Sequence, residues 1–143
     1  MEKIIIGRKE TIDLPEWGIE AINAKVDTGA YNCSIHASFA EEVDMEDKKL
    51  LKVILLEPED DGYTGEKIDI RHYKVKKVKN SFGQMEKRFL IQTSMIIGNR
   101  TIPAAFTLSD RKKMKNAVLL GRKILKGRFL VDVAKTKIAG KSK

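Results

Sequence analysis

Residues 24–36 hold most of the side chains whose types and spacing could do chemistry. Ala24-Lys25-Val26-Asp27-Thr28-Gly29-Ala30 sets a carboxylate, a hydroxyl and a glycine at the end of an alternating strand pattern. Asp and Gly are common turn residues, so Asp-Thr-Gly alone also fits a plain turn after a strand. Cys33 and His36 follow at ligand-like spacing, and Asp27 could join them. Catalytic zinc takes three protein ligands and one open position. If residues 34–40 form a strand, Cys33 and His36 need not face the same side. A small buried thiol and a hydrogen-bonding imidazole then account for both. Cys33 as a nucleophile would need a base, and His36 is near it only in sequence. The chain has two His, no His-Glu-x-x-His, no Gly-x-x-x-x-Gly-Lys-Ser/Thr and no Rossmann glycine pattern. No metal, nucleotide or other cofactor is expected from these residues.

The elements that must position this segment read mostly as strands, because the apolar residues alternate. Strands are expected at residues 3–8, 19–27, 34–40, 50–56, 67–79, 87–97, 101–108, 117–121 and 129–133. Residues 41–49 are acidic and read as a loop. Residues 57–66 carry a Pro and two Gly and read as a surface loop. Residues 81–84 read as a turn. Gly98-Asn99 suits a two-residue hairpin with glycine at the position of positive φ. Pro103 then needs an edge or a bulge. Ser109 or Asp110 starts one helical turn, and residues 122–126 form a short helix that Gly127 ends. Trp17 reads as packing and His72 as solvated. Many short strands with very little helix predict an all-β domain, a closed or nearly closed barrel or a sandwich.

The 143 residues suit one domain at 1–133, followed by a basic tail at 134–143 expected to fray. One Cys excludes a disulfide framework. No apolar run approaches the roughly 18 residues of a membrane span, and the start lacks a signal-peptide core. The expected address is the cytoplasm. The 28 Lys+Arg against 20 Asp+Glu give +8, densest at 71–79 and in the tail. No zinc-finger spacing, recognition helix or RNA-binding aromatic signature accompanies that charge, so nucleic acid is not the expected partner. The 71–79 stretch reads as a solvated face that could also steer acidic substrates.

The second half of the chain adds Val118-Leu119-Leu120-Gly121-Arg122, an apolar strand that ends in Gly-Arg and enters a helix. With the Asp-Thr-Gly strand this resembles the retropepsin-like aspartic peptidases. The likeness extends to their branch of small cytoplasmic proteins labelled ATP-dependent zinc proteases. It is carried by residues 25–30 with Ser34-Ile35-His36-Ala37, by Phe106-Thr107-Leu108-Ser109-Asp110-Arg111 with Met114, and by Leu119–Arg122 with Phe129-Leu130-Val131-Asp132. The resemblance implies a closed acid-protease β-barrel with one or two short helices. It implies Asp27 as the catalytic carboxylate, Thr28 bracing the loop through its hydroxyl, and Gly29 and Gly121 permitting close backbone approach.

Such a peptidase needs two carboxylates about 3 Å apart that share one proton. This chain has one Asp-Thr-Gly, so the resemblance implies a homodimer with Asp27 from each copy. Within one chain, Asp110 and Asp132 are the alternative partners, and Asp132 reads as structural. Ala30, Tyr31, Arg111 and Arg122 are the implied substrate contacts. The arginines would clamp the carboxylates of an acidic peptide. For Arg122 an internal ion pair with Asp110 or Asp132 is the competing reading. Retropepsins commonly carry an acid where Tyr31 stands. The alternatives to peptide-bond hydrolysis are a catalytically silent barrel that binds an acidic peptide or protein tail, and a zinc-dependent peptidase.

Overall fold

The computed structural model describes residues 2–79, 82–111 and 114–139. In chain order it forms β1 (Ile4–Gly7), β2 (Lys9–Leu14), a single 3-10 turn at Pro15–Trp17, β3 (Ile19–Val26), β4 (Cys33–Met45), β5 (Lys48–Leu55), β6 (Ile68–Ile70), β7 (Tyr73–Lys79), β8 (Met85–Ile97), β9 (Arg100–Ser109), β10 (Val118–Leu120), α1 (Arg122–Leu125) and β11 (Phe129–Asp132). Six strands close a barrel in the order β10, β3, β2, β8, β9, β4 and back to β10. β10 closes it by pairing parallel with β3 and antiparallel with β4. β5 and β6 extend from β4, β7 pairs with β8, and β1 with β11 forms a separate parallel pair.

Alternation explains the barrel. Ile12, Ile22, Ile35, Ile91, Met95, Ile97, Phe106, Val118 and Leu120 are all buried, and most of their strand neighbours face out. The period of two sends one side of each strand into the shared core. Trp17 packs against that core from the 3-10 turn. The Gly98-Asn99 hairpin forms as the sequence predicts, with Gly98 at φ 61 and Ile97 opposite Arg100. Pro103 sits opposite Ser94, on the stretch of β9 that β4 does not reach, so its missing N–H leaves no ladder bond unmade.

Three stretches depart from the sequence reading. Residues 41–45 are strand rather than loop. The acids of β4 face lysines of β5, Glu41 opposite Lys52 and Asp44 opposite Lys49, and opposite charges across strands stabilise the pairing. β2 is an additional strand, absent from the expected set. The expected strand at 67–79 divides into β6 and β7 at Arg71-His72. The expected turn of helix after Ser109 falls partly on Lys112 and Lys113, which lie outside the described residues; Met114 N–H donates to Arg111 O.

The tail is tied down as far as Ala139. Buried Glu10 accepts N–H bonds from Gly7, Ile138 and Ala139, and Lys137 N–H reaches Lys9 O. One buried carboxylate facing three backbone donors joins residues 138 and 139 to the start of β2. Residues 140–143 lie outside the described set.

Candidate active site

β3 delivers Asp27 to the point where β10 crosses it. Asp27 N–H donates to Leu120 O at 2.9 Å, which continues the β3–β10 pairing into the loop. Ala30 N–H then turns back to Asp27 O at 3.2 Å. The Asp27 carboxylate is half-buried, and its Oδ1 accepts the Gly29 N–H at 3.0 Å. The first turn of α1 holds the far side of the loop: Arg122 N–H donates to Ala30 O and Lys123 N–H to Tyr31 O, at 2.8 and 2.9 Å. Gly121 permits that approach. A Cβ there would lie 2.5 Å from Asn32 O and 2.7 Å from Tyr31 O.

The expected site residues thus converge on one loop. Asp27, Thr28, Gly29, Ala30, Tyr31, Gly121 and Arg122 all belong to it. Arg122 donates from Nη1 to Thr28 O at 3.1 Å and lies over the Tyr31 ring, so its first task is to hold the loop. Thr28 is exposed, and its carbonyl rather than its hydroxyl is bonded within the chain. Tyr31 is more than half exposed beside it. A depression of about 750 Å³ opens next to the loop, with Thr28, Tyr31, Arg122, Lys123 and Lys126 over an apolar floor that includes Phe129.

Arg111 reaches the same site from the end of β9. Burial pushes its pKa below the ordinary value, and the nearby Asp27 carboxylate acts against that shift. Its guanidinium donates from Nε to Asn116 O at 2.9 Å. Its backbone N–H donates to Nδ1 of buried His36 at 2.8 Å. Because Nδ1 accepts that bond, the single ring N–H proton sits on Nε2 and points at Glu57 Oε2, 2.7 Å away. Glu57, read from sequence as part of a surface loop, is the partner that sequence reasoning missed. Its separation from His36 by 21 residues gave no local signal.

Cys33 and His36 do not meet as a zinc site. Both ring nitrogens of His36 are engaged. Cys33 is buried in β4, and that burial raises its thiol pKa. Among the described residues no group of three His, Cys, Asp or Glu gathers around a metal-sized space. These residues do not fit the metal. Asp110 is exposed with one oxygen 3.9 Å from His36 Nδ1, and Asp132 caps Ala134 N–H beside β1.

The stretch that carries the barrel and the Asp-Thr-Gly loop also matches a known family. Residues 5–142 match the model of the RimB-like family, described as retropepsin-like aspartic endopeptidase RimB. The chain belongs to that family. Its curated relatives include two proteins each named "Probable alpha-L-glutamate ligase". The one from Parasynechococcus marenigrum is 31% identical over 130 residues, covering 91% of this chain and 28% of the ligase. The one from Desulfotalea psychrophila is 33% identical over 132 residues, covering 92% and 28%. The RimB-like chain therefore spans just over a quarter of the length of these curated relatives. A crystal structure of a Legionella pneumophila protein of unknown function (DUF785) superposes with a TM-score of 0.75 at 26% identity, covering 96% of this chain and 99% of that one.

Proposed function

We propose that this chain is an aspartic-type peptidase that hydrolyses peptide bonds in an acidic peptide, with Asp27 of two copies as its catalytic pair. The observation that carries the reading is the Asp27 loop, whose carboxylate is oriented by Gly29 N–H and whose backbone is fixed from both sides by β10 and α1. Two such carboxylates brought within hydrogen-bonding distance cannot both ionise, so they share a proton. The ionised one takes a proton from water as the water oxygen attacks the scissile carbonyl. The protonated one donates to the carbonyl oxygen. The tetrahedral intermediate then collapses, the C–N bond breaks, and the amine leaves with a proton. Thr28 and Tyr31 are exposed beside Asp27, and among the described residues the Thr28 hydroxyl has no hydrogen bond within the chain.

The acidic substrate is supported by charge. Arg122, Lys123 and Lys126 line the depression beside the loop. The relatives that share this segment are named for a ligase of α-L-glutamate, so a peptide rich in glutamate is the favoured form. The test is incubation of the protein with an oligoglutamate peptide, followed by mass spectrometry. Shortened products are expected, and Asp27→Asn should abolish them. Mixing wild type with an equal amount of Asp27→Asn chains should leave about a quarter of the dimers fully wild type, and activity should fall to that fraction if both Asp27 carboxylates are required. Cleavage that survives in Asp27→Asn refutes the proposal. Binding without cleavage by the wild type would identify a silent barrel.

A further inference from the structure

The largest excess of positive charge in this chain lies in one stretch. Between Arg71 and Arg88 the sequence holds seven basic residues and one acid, Glu86, which is +6 of the total +8. That stretch covers β7 and the first residues of β8, which pair as a ribbon. β8 enters the barrel through β9 only from Leu90 onward, so the part carrying the charge stands clear as two strands. Like charges face each other across it: Lys76 is opposite Arg88, and Lys77 is opposite Lys87. Such pairs destabilise a ribbon. Glu42 answers Lys87, and Glu86 answers Arg88. Among the described residues Lys74, Lys76, Lys77 and Lys79 are exposed and have no ion-pair partner. The root of the ribbon meets the site. Lys87 and Arg88 share a cavity of about 380 Å³ with Ser109 and Asp110, the residues that precede Arg111. Ser109 Oγ is buried there with no hydrogen-bond partner.

We propose that the β7–β8 ribbon is a second binding surface, which holds a run of consecutive acidic residues of an extended peptide along β7. The inference rests on the acidic substrate proposed above. Three observations select a peptide over a nucleic acid. Among the described residues β7 pairs only with β8, so its outer edge offers backbone groups that a second peptide strand can pair with. Two of the ribbon's aromatic rings are committed within the fold, since Tyr73 and Phe89 pack edge to face and Tyr73 O–H donates to Glu42; Phe82 is exposed but lies past the four lysines in the sequence. The lysine spacing follows the peptide repeat. Lys74 and Lys76 lie on one face of β7, and Lys77 and Lys79 on the other, because successive side chains alternate. An extended peptide with an acid at every position meets cations on both faces. A peptide with acids at alternate positions meets them on one.

The test uses full-length Asp27→Asn protein, so that binding is read without cleavage. A fluorescein-labelled octaglutamate, an octapeptide alternating Glu and Ala, and a single-stranded RNA octamer are titrated and followed by anisotropy at low and high salt. Octaglutamate is expected to bind most tightly and to weaken with salt. Lys74→Gln/Lys76→Gln/Lys77→Gln/Lys79→Gln should weaken it about tenfold, as four exposed ion pairs together would. Each two-lysine variant should lose part of that, and the alternating peptide should respond to only one of them. Unchanged far-UV circular dichroism and melting would show that the exposed substitutions leave the fold intact. Equal octaglutamate affinity in the four-lysine variant overturns the proposal. Equal affinity for the alternating peptide overturns it too, as does tighter, ribbon-dependent binding of the RNA. Ribbon-dependent binding in a protein that never cleaves would sink the peptidase reading and leave this one standing. Cleavage indifferent to the lysines would do the reverse.

Discussion

Gly121→Ala is the sharpest test of how the Asp27 loop is held. The new Cβ would sit 2.5 Å from Asn32 O and 2.7 Å from Tyr31 O, and both neighbours are backbone. A carbon and a carbonyl oxygen rest about 3.3 Å apart or more, so the loop would have to retreat by roughly 0.7 Å. Retreat stretches the bonds from Arg122 N–H to Ala30 O and from Lys123 N–H to Tyr31 O, now 2.8 and 2.9 Å. Overpacking costs about 1–3 kcal/mol. Losing one or two of those hydrogen bonds adds about 1 kcal/mol each, for a total near 3 kcal/mol. Unfolding entropy of about 2.1 cal/mol/K per residue makes that a fall of about 10 °C in Tm for a chain of 143 residues. Differential scanning calorimetry reads it directly. Gly29→Ala is the control, because its Cβ would meet only Asp27 Oδ1, at 3.3 Å, so it should melt near wild type. A Gly121→Ala protein that melts within about 2 °C of wild type would refute the claim that α1 clamps the loop through this contact.

Other measurements follow from the same contacts. Glu10→Ala removes three backbone partners at once and should cost about 2–4 kcal/mol in urea unfolding, with faster hydrogen exchange at Ile138 and Ala139; protection that persists would show that the tail is held by something else. Hydrogen bonds from Lys87 and then Tyr73 hold Glu42 below its ordinary pKa, so its contribution to stability is present at neutral pH and lost as pH falls through that depressed value. Tyr73 is pushed up to about 12, by burial first and by Glu42 second, and Glu42→Gln should bring its absorbance titration back towards 10. An unmoved Tyr73 titration in that variant would contradict the Tyr73–Glu42 bond. Cys33 should resist thiol reagents at pH 8 in the native protein and react once unfolded, because burial raises its pKa.

The legible parts of this structure were those written locally. Alternation announced β3, β8 and β9, and Gly98-Asn99 announced the turn between the last two. The acids at 41–45 misled because their partners, Lys49 and Lys52, lie on the next strand. A charge pattern that reads as loop in one strand reads as pairing only when both are aligned. The site divides in the same way. Asp27 to Gly29 and Gly121-Arg122 stood out as short motifs. The buried chain from Glu57 through His36 to Arg111 could not be seen, since its members lie far apart in sequence and meet only through folding. Glu10 was silent for the same reason, its three donors split between Gly7 and the far end of the chain.

The strand that closes the barrel has a consequence in time. β10 completes the ring by pairing with Lys25–Val26 on one side and Ser34–Ile35 on the other, and it supplies the carbonyl that fixes Asp27. More than ninety residues separate Val26 from its partner Leu120. Contacts so distant along the chain form late, after the local hairpins. During synthesis Asp27 would emerge long before its clamp exists, on a strand with one of its two edges open. The order of the sequence thus delays the carboxylate's final geometry until β10 has been made.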